Sequence, residues 1–297
     1  MGTQYRAYTH NDLMKVSRFL SHVHSRLNRP NSWTIARFQF EIFFYQLRAG
    51  LLPGWEQNIG LWEHDNGELA AVVCRDGDFY FQLDTDQPEE ELLREMFEFI
   101  EKKSAPGAVK LAVPKVMTKL EEAAQSRGYV LLPNESDNVV SIRLEKEMKV
   151  VIPEGFSLQC GEEVSDQAKA QGHIMAFNYP GTAHAEKMLQ LYGGIRQAPG
   201  YCPELDLSLV NGQGEVVAFC NAFVDEVNRI GILEPVGTHA DYRLRGLGQT
   251  VIYEALNRLR SLGMVKVYTG PMQPFYQRIG FEMDVEFGVW SLGEVDY

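Results

Sequence analysis

Cysteine is scarce and unpatterned. Cys74, Cys160, Cys202 and Cys220 are the only four among 297 residues, and no two stand at a metal-ligand spacing. That argues against a disulfide scaffold and a structural zinc site, and the four read as free, mostly buried thiols. Long apolar runs are also missing: none approaches the roughly 20 residues that a bilayer-spanning helix needs. The opening Met1-Gly-Thr-Gln-Tyr-Arg6 has no charged segment leading into an apolar one, so neither a membrane span nor a secretory leader is expected, and the expected location is cytoplasmic. Positive charge is short as well. With 28 Lys and Arg against 40 Asp and Glu the formal net charge is -12, spread over both halves of the chain. That balance argues against a nucleic-acid partner and suits a cationic substrate. His22 and His24 are the only close pair among seven histidines. Two residues apart on a helix they point in different directions, so they are expected at solvated positions and no metal site is assigned.

What is present is an ordinary globular composition, 45% hydrophobic and 23% charged, in a chain long enough for two domains of similar size. The same order of elements reads twice. The first copy opens with a strand at Tyr5–Tyr8 and a helix capped by Asn11 or Asp12, and the second with Phe156–Leu158 and a helix near Glu162–Phe177. A hairpin follows in each: Ile59–His64 and Glu68–Val73 around Asp65-Asn-Gly67, then Leu205–Val210 and Glu215–Cys220 around Asn211-Gly-Gln-Gly214. Asn-Gly supplies the positive φ that such turns need. Each copy then has a strand (Phe79–Leu83; Ile230–Thr238), an amphipathic helix (Pro88–Lys103; Gly248–Leu262) and a short strand (Val109–Val113; Val265–Tyr268). A short helix (Met117–Gln125; Met272–Arg278) and a last strand (Tyr129 onward, including Val139–Leu144; Phe281–Leu292) complete it. Both short helices end at a glycine followed by an aromatic, Gly128-Tyr129 and Gly280-Phe281. The fold class expected is mixed α/β with two tandem domains, 1–148 and 149–297.

The strongest local signal is Asp241-Tyr-Arg-Leu-Arg-Gly-Leu-Gly248, between a strand and a helix whose Val251, Ile252, Ala255, Leu256 and Leu259 share a face. A glycine turn at a helix N-terminus presents backbone N–H groups with no intrahelical partner, and the helix dipole favours an anion there. A pyrophosphate fits; a tight strand-to-helix turn that simply needs glycine is the alternative.

Arg243, Gly246 and Gly248 resemble the acyl-CoA signature of the GCN5-related N-acetyltransferase (GNAT) superfamily: Arg or Gln, two residues, Gly, one residue, Gly or Ala. Glu234-Pro-Val-Gly-Thr-His239 and Tyr276-Gln-Arg-Ile-Gly-Phe281 extend the resemblance on either side. It implies an acetyl-CoA cosubstrate whose pyrophosphate meets the N–H groups of Leu244, Arg245, Gly246, Leu247, Gly248 and Gln249, with the Arg243 and Arg245 side chains near the phosphates. Val236, Gly237 and Thr238 would lie along the pantetheine arm, and Tyr276 would protonate the leaving thiolate; core packing is the alternative for Tyr276. The base is expected at Glu234, placed by period 2 on the same face as Val236, with Asp225, Glu226 and His239 as fallbacks and a strand-end role as its alternative. The family's frequent Asn ahead of the tyrosine is replaced here by Thr269-Gly-Pro-Met-Gln-Pro-Phe275.

The first half departs from that pattern. Its loop position reads Asp84-Thr-Asp-Gln-Pro-Glu-Glu-Glu91, without glycine and with five carboxylates, and Ala124 aligns with Tyr276. It is expected to be a degenerate copy that shapes the acceptor site or supports the fold. Trp33, Arg37, Glu41 and Tyr45 recur at i+4, a helical stripe read as core or, if it faces the other half, as acceptor contacts. The expected activity is direct transfer of an acetyl group to a primary amine of a small molecule or peptide. A mycothiol-synthase-like acyltransferase and a non-catalytic acyl-CoA-binding module are the competing readings.

Overall fold

The computed structural model describes residues 2–46, 54–104 and 109–293, with the side chains of Tyr45 and Gln46 outside that description. Tyr45, the last member of the i+4 stripe, is therefore not placed. The first half contributes strands β1 (Thr3–Ala7), β2 (Gly60–His64), β3 (Leu69–Asp76), β4 (Asp78–Leu83), β5 (Val109–Pro114) and β6 (Val130–Arg143). Its helices are α1 (Leu13–Leu27), α2 (Ile35–Phe40), continued as a π-helical turn over Glu41–Gln46, α3 (Glu90–Lys103) and α4 (Thr118–Ser126). The second half repeats the order with strands β7 (Phe156–Cys160), β8 (Asp206–Asn211), β9 (Val216–Asp225), β10 (Ile230–Thr238), β11 (Lys266–Thr269) and β12 (Glu282–Leu292). Its helices are α5 (Asp166–Ala176), α6 (Ala183–Leu191), α7 (Leu247–Ser261) and α8 (Pro274–Arg278). Helix α6 is an element the sequence reading missed. The expectation of a mixed α/β fold with a doubled element order holds.

All twelve strands form one sheet, in the order β1-β2-β3-β4-β5-β12-β6-β11-β10-β9-β8-β7. The two halves thus trade their last strands. β12 pairs with β5 of the first half, β6 pairs with β11 of the second, and β6 and β12 pair with each other at the centre. The hydrophobic cores record the exchange. Val140 and Ile142 of β6 are buried with α7 and strands β8 to β11 of the second half, while Trp290 of β12 is buried with α3, α4 and strands β2 to β5 of the first. Burying side chains of this size is worth about 1.5–3 kcal/mol apiece, so neither outer core is complete without the other half.

A third core joins the halves directly, with α1 and α2 packed on Ile230, Ile232 and Tyr268. Helix α1 presents its apolar stripe to this core and is further held by Ser21 Oγ, which donates to Asp225 Oδ1 at 2.9 Å, and by Asn228 Nδ2, which donates to the Ser21 carbonyl at 2.9 Å. His24 Nε2 lies 3.0 Å from the Tyr268 hydroxyl. The expectation that His22 and His24 are both solvated is corrected: His22 is exposed, whereas His24 is buried in the contact between halves.

Residues 149–297 alone would lack the strand that pairs with β11 and would expose the apolar face that Val140 and Ile142 cover. Expressed by itself this segment should be unfolded or aggregated by circular dichroism and gel filtration, and co-expression with 1–148 should restore a soluble complex. A folded, monomeric 149–297 would contradict the exchange.

Candidate active site

Strands β10 and β11 run parallel and pair only over Ile230–Ile232 with Lys266–Tyr268. Beyond that they part, and two cavities with no lining residue in common lie along the end of β10. On the side of α7 is a cleft of about 750 Å³ lined by Val236, Gly237 and Thr238 of β10, by Arg243, Leu244, Gly246, Leu247, Gly248 and Gln249 of the loop, and by Tyr276. Of the predicted cofactor residues Arg245 alone is not in its lining; its guanidinium stacks on the Tyr242 ring at 5.0 Å and donates to the Asp241 carbonyl.

Local chemistry explains the loop. Gly246 sits at the N-cap of α7 with φ 79°, a left-handed conformation that costs glycine nothing. At Gly248 a Cβ would stand 2.8 Å from Thr238 Oγ1, so only glycine lets the first turn of α7 lie against the end of β10. Leu244 holds φ 63° without being glycine, at a cost of order 1 kcal/mol, and its side chain is 98% exposed. The N–H groups of Leu244, Arg245 and Gly246 have no acceptor among the described residues, and those of the first turn of α7 have none within the helix. This is a cradle for an anion, and the chain fits the pyrophosphate of an acyl-CoA. Arg243 braces it, with Nη2 donating to the Ala176 carbonyl at 2.5 Å and Nε to the Thr238 carbonyl at 3.3 Å. Ala176, Phe177, Phe275 and Arg278 also line the cleft and escaped the sequence reading. Arg278, two residues beyond Tyr276 in the same short helix, was the one with a sequence signal.

Tyr276 is buried, with Thr269 near its hydroxyl. Burial raises its pKa against the lowering contact with Thr269, so it keeps its proton at neutral pH. Thr269 in turn lines the second cavity, of about 160 Å³. There Glu234 and Tyr268 of the second half face Trp33, Arg37, Tyr80 and Asp137 of the first.

The period-2 expectation for Glu234 and Val236 is corrected here. The β9–β10 ladder shifts register between Leu233 and Val236, where Pro235 has no N–H to pair. The two side chains consequently open onto different cavities: Val236 onto the cofactor cleft, Glu234 onto the seam between halves. Asp225 and His239 are spoken for, Asp225 by Ser21 and Asn228, His239 by the N–H of Asp241 at its Nδ1. Neither they nor Glu226 line either cavity.

Arg37 fronts the seam cavity from α2 and lies 3.5 Å from Glu234, 3.4 Å from Glu41 and in direct contact with Asp76. The i+4 stripe therefore does face the second half. Burial opposes the charge of Arg37, yet Glu234, Glu41 and Asp76 hold its pKa above the ordinary value. Burial pushes Glu41 up to about 8, although Arg37 lowers it. Glu234 is also raised, by burial first, with Arg37 acting in the opposite sense. Three carboxylates around one guanidinium leave the seam short of positive charge.

At the matching place in the first half the chain supplies its own anions. Asp84 accepts from Arg26 at 2.8 Å, Asp86 contacts Arg29, and α3 opens with Glu89, Glu90 and Glu91. Ala124 is buried in the outer core of that half. Among the described residues no group of three or more metal-ligating side chains is close enough to hold an ion, and no helix is long and apolar enough to cross a membrane.

Comparison with known proteins agrees with this geometry. The family model described as Acetyltransferase (GNAT) family matches residues 172–281, and no curated protein matches the sequence. Among solved structures, a GCN5-related N-acetyltransferase from Sphaerobacter thermophilus superposes with TM-score 0.63 at 17% identity, covering 99% of this chain and 98% of its own. A tandem GNAT protein from the clavulanic acid biosynthesis pathway gives 0.67 at 13%, covering 99% and 100%. An acetyltransferase of the GNAT family from Colwellia psychrerythraea gives 0.54 at 14%, covering 98% and 100%. Residues 172–281 thus match the acetyltransferase (GNAT) family model, and the chain as a whole shares the fold of the tandem GNAT protein on which it superposes.

Proposed function

We propose that this protein is an N-acetyltransferase that binds acetyl-CoA in the α7 cleft and passes the acetyl group through the opening between β10 and β11 to a primary amine on the other side. The observation that carries this reading is the pairing of two cavities along the end of β10, with the anion cradle and Tyr276 in one and Glu234 in the other. Residues 149–297 act as the catalytic domain, and 1–148, without an anion cradle of its own, closes the acceptor side.

The cosubstrate supplies an activated thioester. The chain's residues do the rest. The loop N–H groups fix the pyrophosphate, and Val236, Gly237 and Thr238 flank the arm that leads to the thioester. Glu234 takes a proton from the acceptor ammonium, freeing the nitrogen lone pair to form the new C–N bond as the C–S bond breaks. Tyr276 gives its proton to the departing sulfur and is restored by the second proton that the nitrogen sheds on becoming an amide. Burial raises the pKa of Glu234 toward that of a base working near neutral pH, and Arg37 opposes the rise. The mycothiol-synthase-like alternative has no separate observation in its favour. A purely binding role predicts that Tyr276 and Glu234 are dispensable, which the kinetics below decide.

Gly246→Asp introduces a side chain and a negative charge into the cradle. Calorimetry should find CoA binding abolished in this variant and one CoA per chain in the wild type. Unchanged affinity in the folded variant would contradict the cleft assignment, and two equal sites would contradict the single cradle.

Catalysis gives a second test. Tyr276→Phe should lower turnover about 10²-fold with CoA affinity retained, near the lower end of what a positioned acid supplies. Wild-type turnover would make Tyr276 a packing residue. Because burial raises Glu234, the acidic limb of kcat/KM for the amine should fall at higher pH than an ordinary carboxylate gives: activity is present above its pKa and is lost as pH falls through it. Glu234→Gln should flatten that limb, and an unaltered limb would exclude Glu234 as the base.

A further inference from the structure

The seam cavity has more carboxylate than one transferred proton requires. Glu234 is engaged with Arg37, and Arg37 is already shared with Glu41 and Asp76, so its guanidinium is committed within the protein. Asp137 lies in the wall contributed by β6, and its only hydrogen bond among the described residues is from the Asn138 N–H to Oδ1, at 2.7 Å. No cation of the protein lies within ion-pair distance of it among the described residues. Burial raises its pKa, while the Asn138 N–H and the more distant charge of Arg37 lower it. Two aromatic rings, Trp33 and Tyr80, with centroids 5.9 Å apart, share this lining. A carboxylate without an ion-pair partner, in one cavity wall with two aromatic rings, attracts an organic cation.

Resting on the acetyl-transfer reading above, we propose that the seam cavity is a recognition subsite for an acceptor with two positive charges, a short aliphatic diamine. Asp137, Trp33 and Tyr80 of the first half hold the ammonium that is not acylated, while Glu234 of the second faces the one that is. The cavity is small, about 160 Å³, room for about five waters at roughly 30 Å³ each, which suits a short diamine such as one of four carbons. An acceptor with a carboxylate at its far end is disfavoured, because it would meet Asp137 and find Arg37 already surrounded by acids. The first half would then do chemical selection, although it has no anion cradle of its own.

The test uses the full-length protein and three probes of similar length: 1,4-diaminobutane, n-pentylamine and 4-aminobutanoate. Calorimetric titration of 1,4-diaminobutane into CoA-saturated protein should show binding, and Asp137→Asn should weaken it by about 10- to 100-fold, the range for a lost charge-assisted contact. The asparagine retains an oxygen for the Asn138 N–H, so the loop keeps its bond, and unchanged CoA affinity certifies the fold. In steady-state assays with acetyl-CoA, read by free thiol release, the diamine should exceed n-pentylamine in kcat/KM by about tenfold or more, chiefly through KM, and Asp137→Asn should erase the preference. Equal use of diamine and monoamine, preference for 4-aminobutanoate, or diamine binding that Asp137→Asn leaves intact would overturn the proposal. Diamine binding that depends on Asp137 with no acetylation of any amine would uphold the subsite and refute the acetyl-transfer reading, so the two can fail separately.

Discussion

Everything at the candidate site depends on the brevity of one parallel pairing. β10 and β11 share a ladder over Ile230–Ile232 and Lys266–Tyr268 and then part, inside a sheet whose strands on either side remain paired. Opening a sheet in its middle strips backbone groups of their partners, and buried groups of that kind are costly unless something else satisfies them. Thr269 Oγ1 donates to the Leu233 carbonyl at 3.2 Å, and Asn138 Oδ1 of the first half accepts from the Met272 N–H at 2.6 Å. The second of these comes from β6, the exchanged strand. The opening is thus stabilised in part by the other half of the chain, which also supplies more than half of the residues lining the seam cavity.

The two sides of the opening carry opposite electrostatics. On the α7 side, N–H groups without acceptors and the positive end of a helix meet any anion. Across the opening, Glu234, Glu41 and Asp76 crowd around one arginine with Asp137 in the same cavity wall, and burial raises the pKa of Glu41, Glu234 and Asp137. Such a division suits a reaction that brings a polyanionic donor from one face and a cationic acceptor from the other. In the first half the same helix end is occupied by the chain's own acids, with Arg26 and Arg29 balancing Asp84 and Asp86.

Features governed by neighbours in the chain were readable before the fold. The hairpin turns at Asn66-Gly67 and Asn211–Gly214, the stripe of α7 and the glycines at 246 and 248 depend on φ angles, period and helix ends, all of them local, although in the second turn the positive φ expected of Asn-Gly falls on Gly214 instead of Gly212. The face on which Glu234 emerges was not readable, because period 2 assumes an unbroken ladder and the register shift at Pro235 breaks it. The i+4 stripe announced an Arg37–Glu41 pair, but its approach to Glu234 depends on packing between residues nearly two hundred positions apart in the chain. Strand exchange is likewise invisible locally, since β6 and β12 would look the same in either half. His24 reads as a polar residue on a helix, and only the docking of α1 onto Tyr268 buries it.

Amide hydrogen exchange on the whole chain, with and without CoA, tests most directly whether one half alone holds the cofactor. Slowed exchange is predicted for 236–238, along the cofactor arm, and for 244–249, where the N–H groups of Leu244, Arg245 and Gly246 have no acceptor among the described residues, with 84–91 unchanged. Protection of 84–91, or none at 244–249 under saturating CoA, would contradict it.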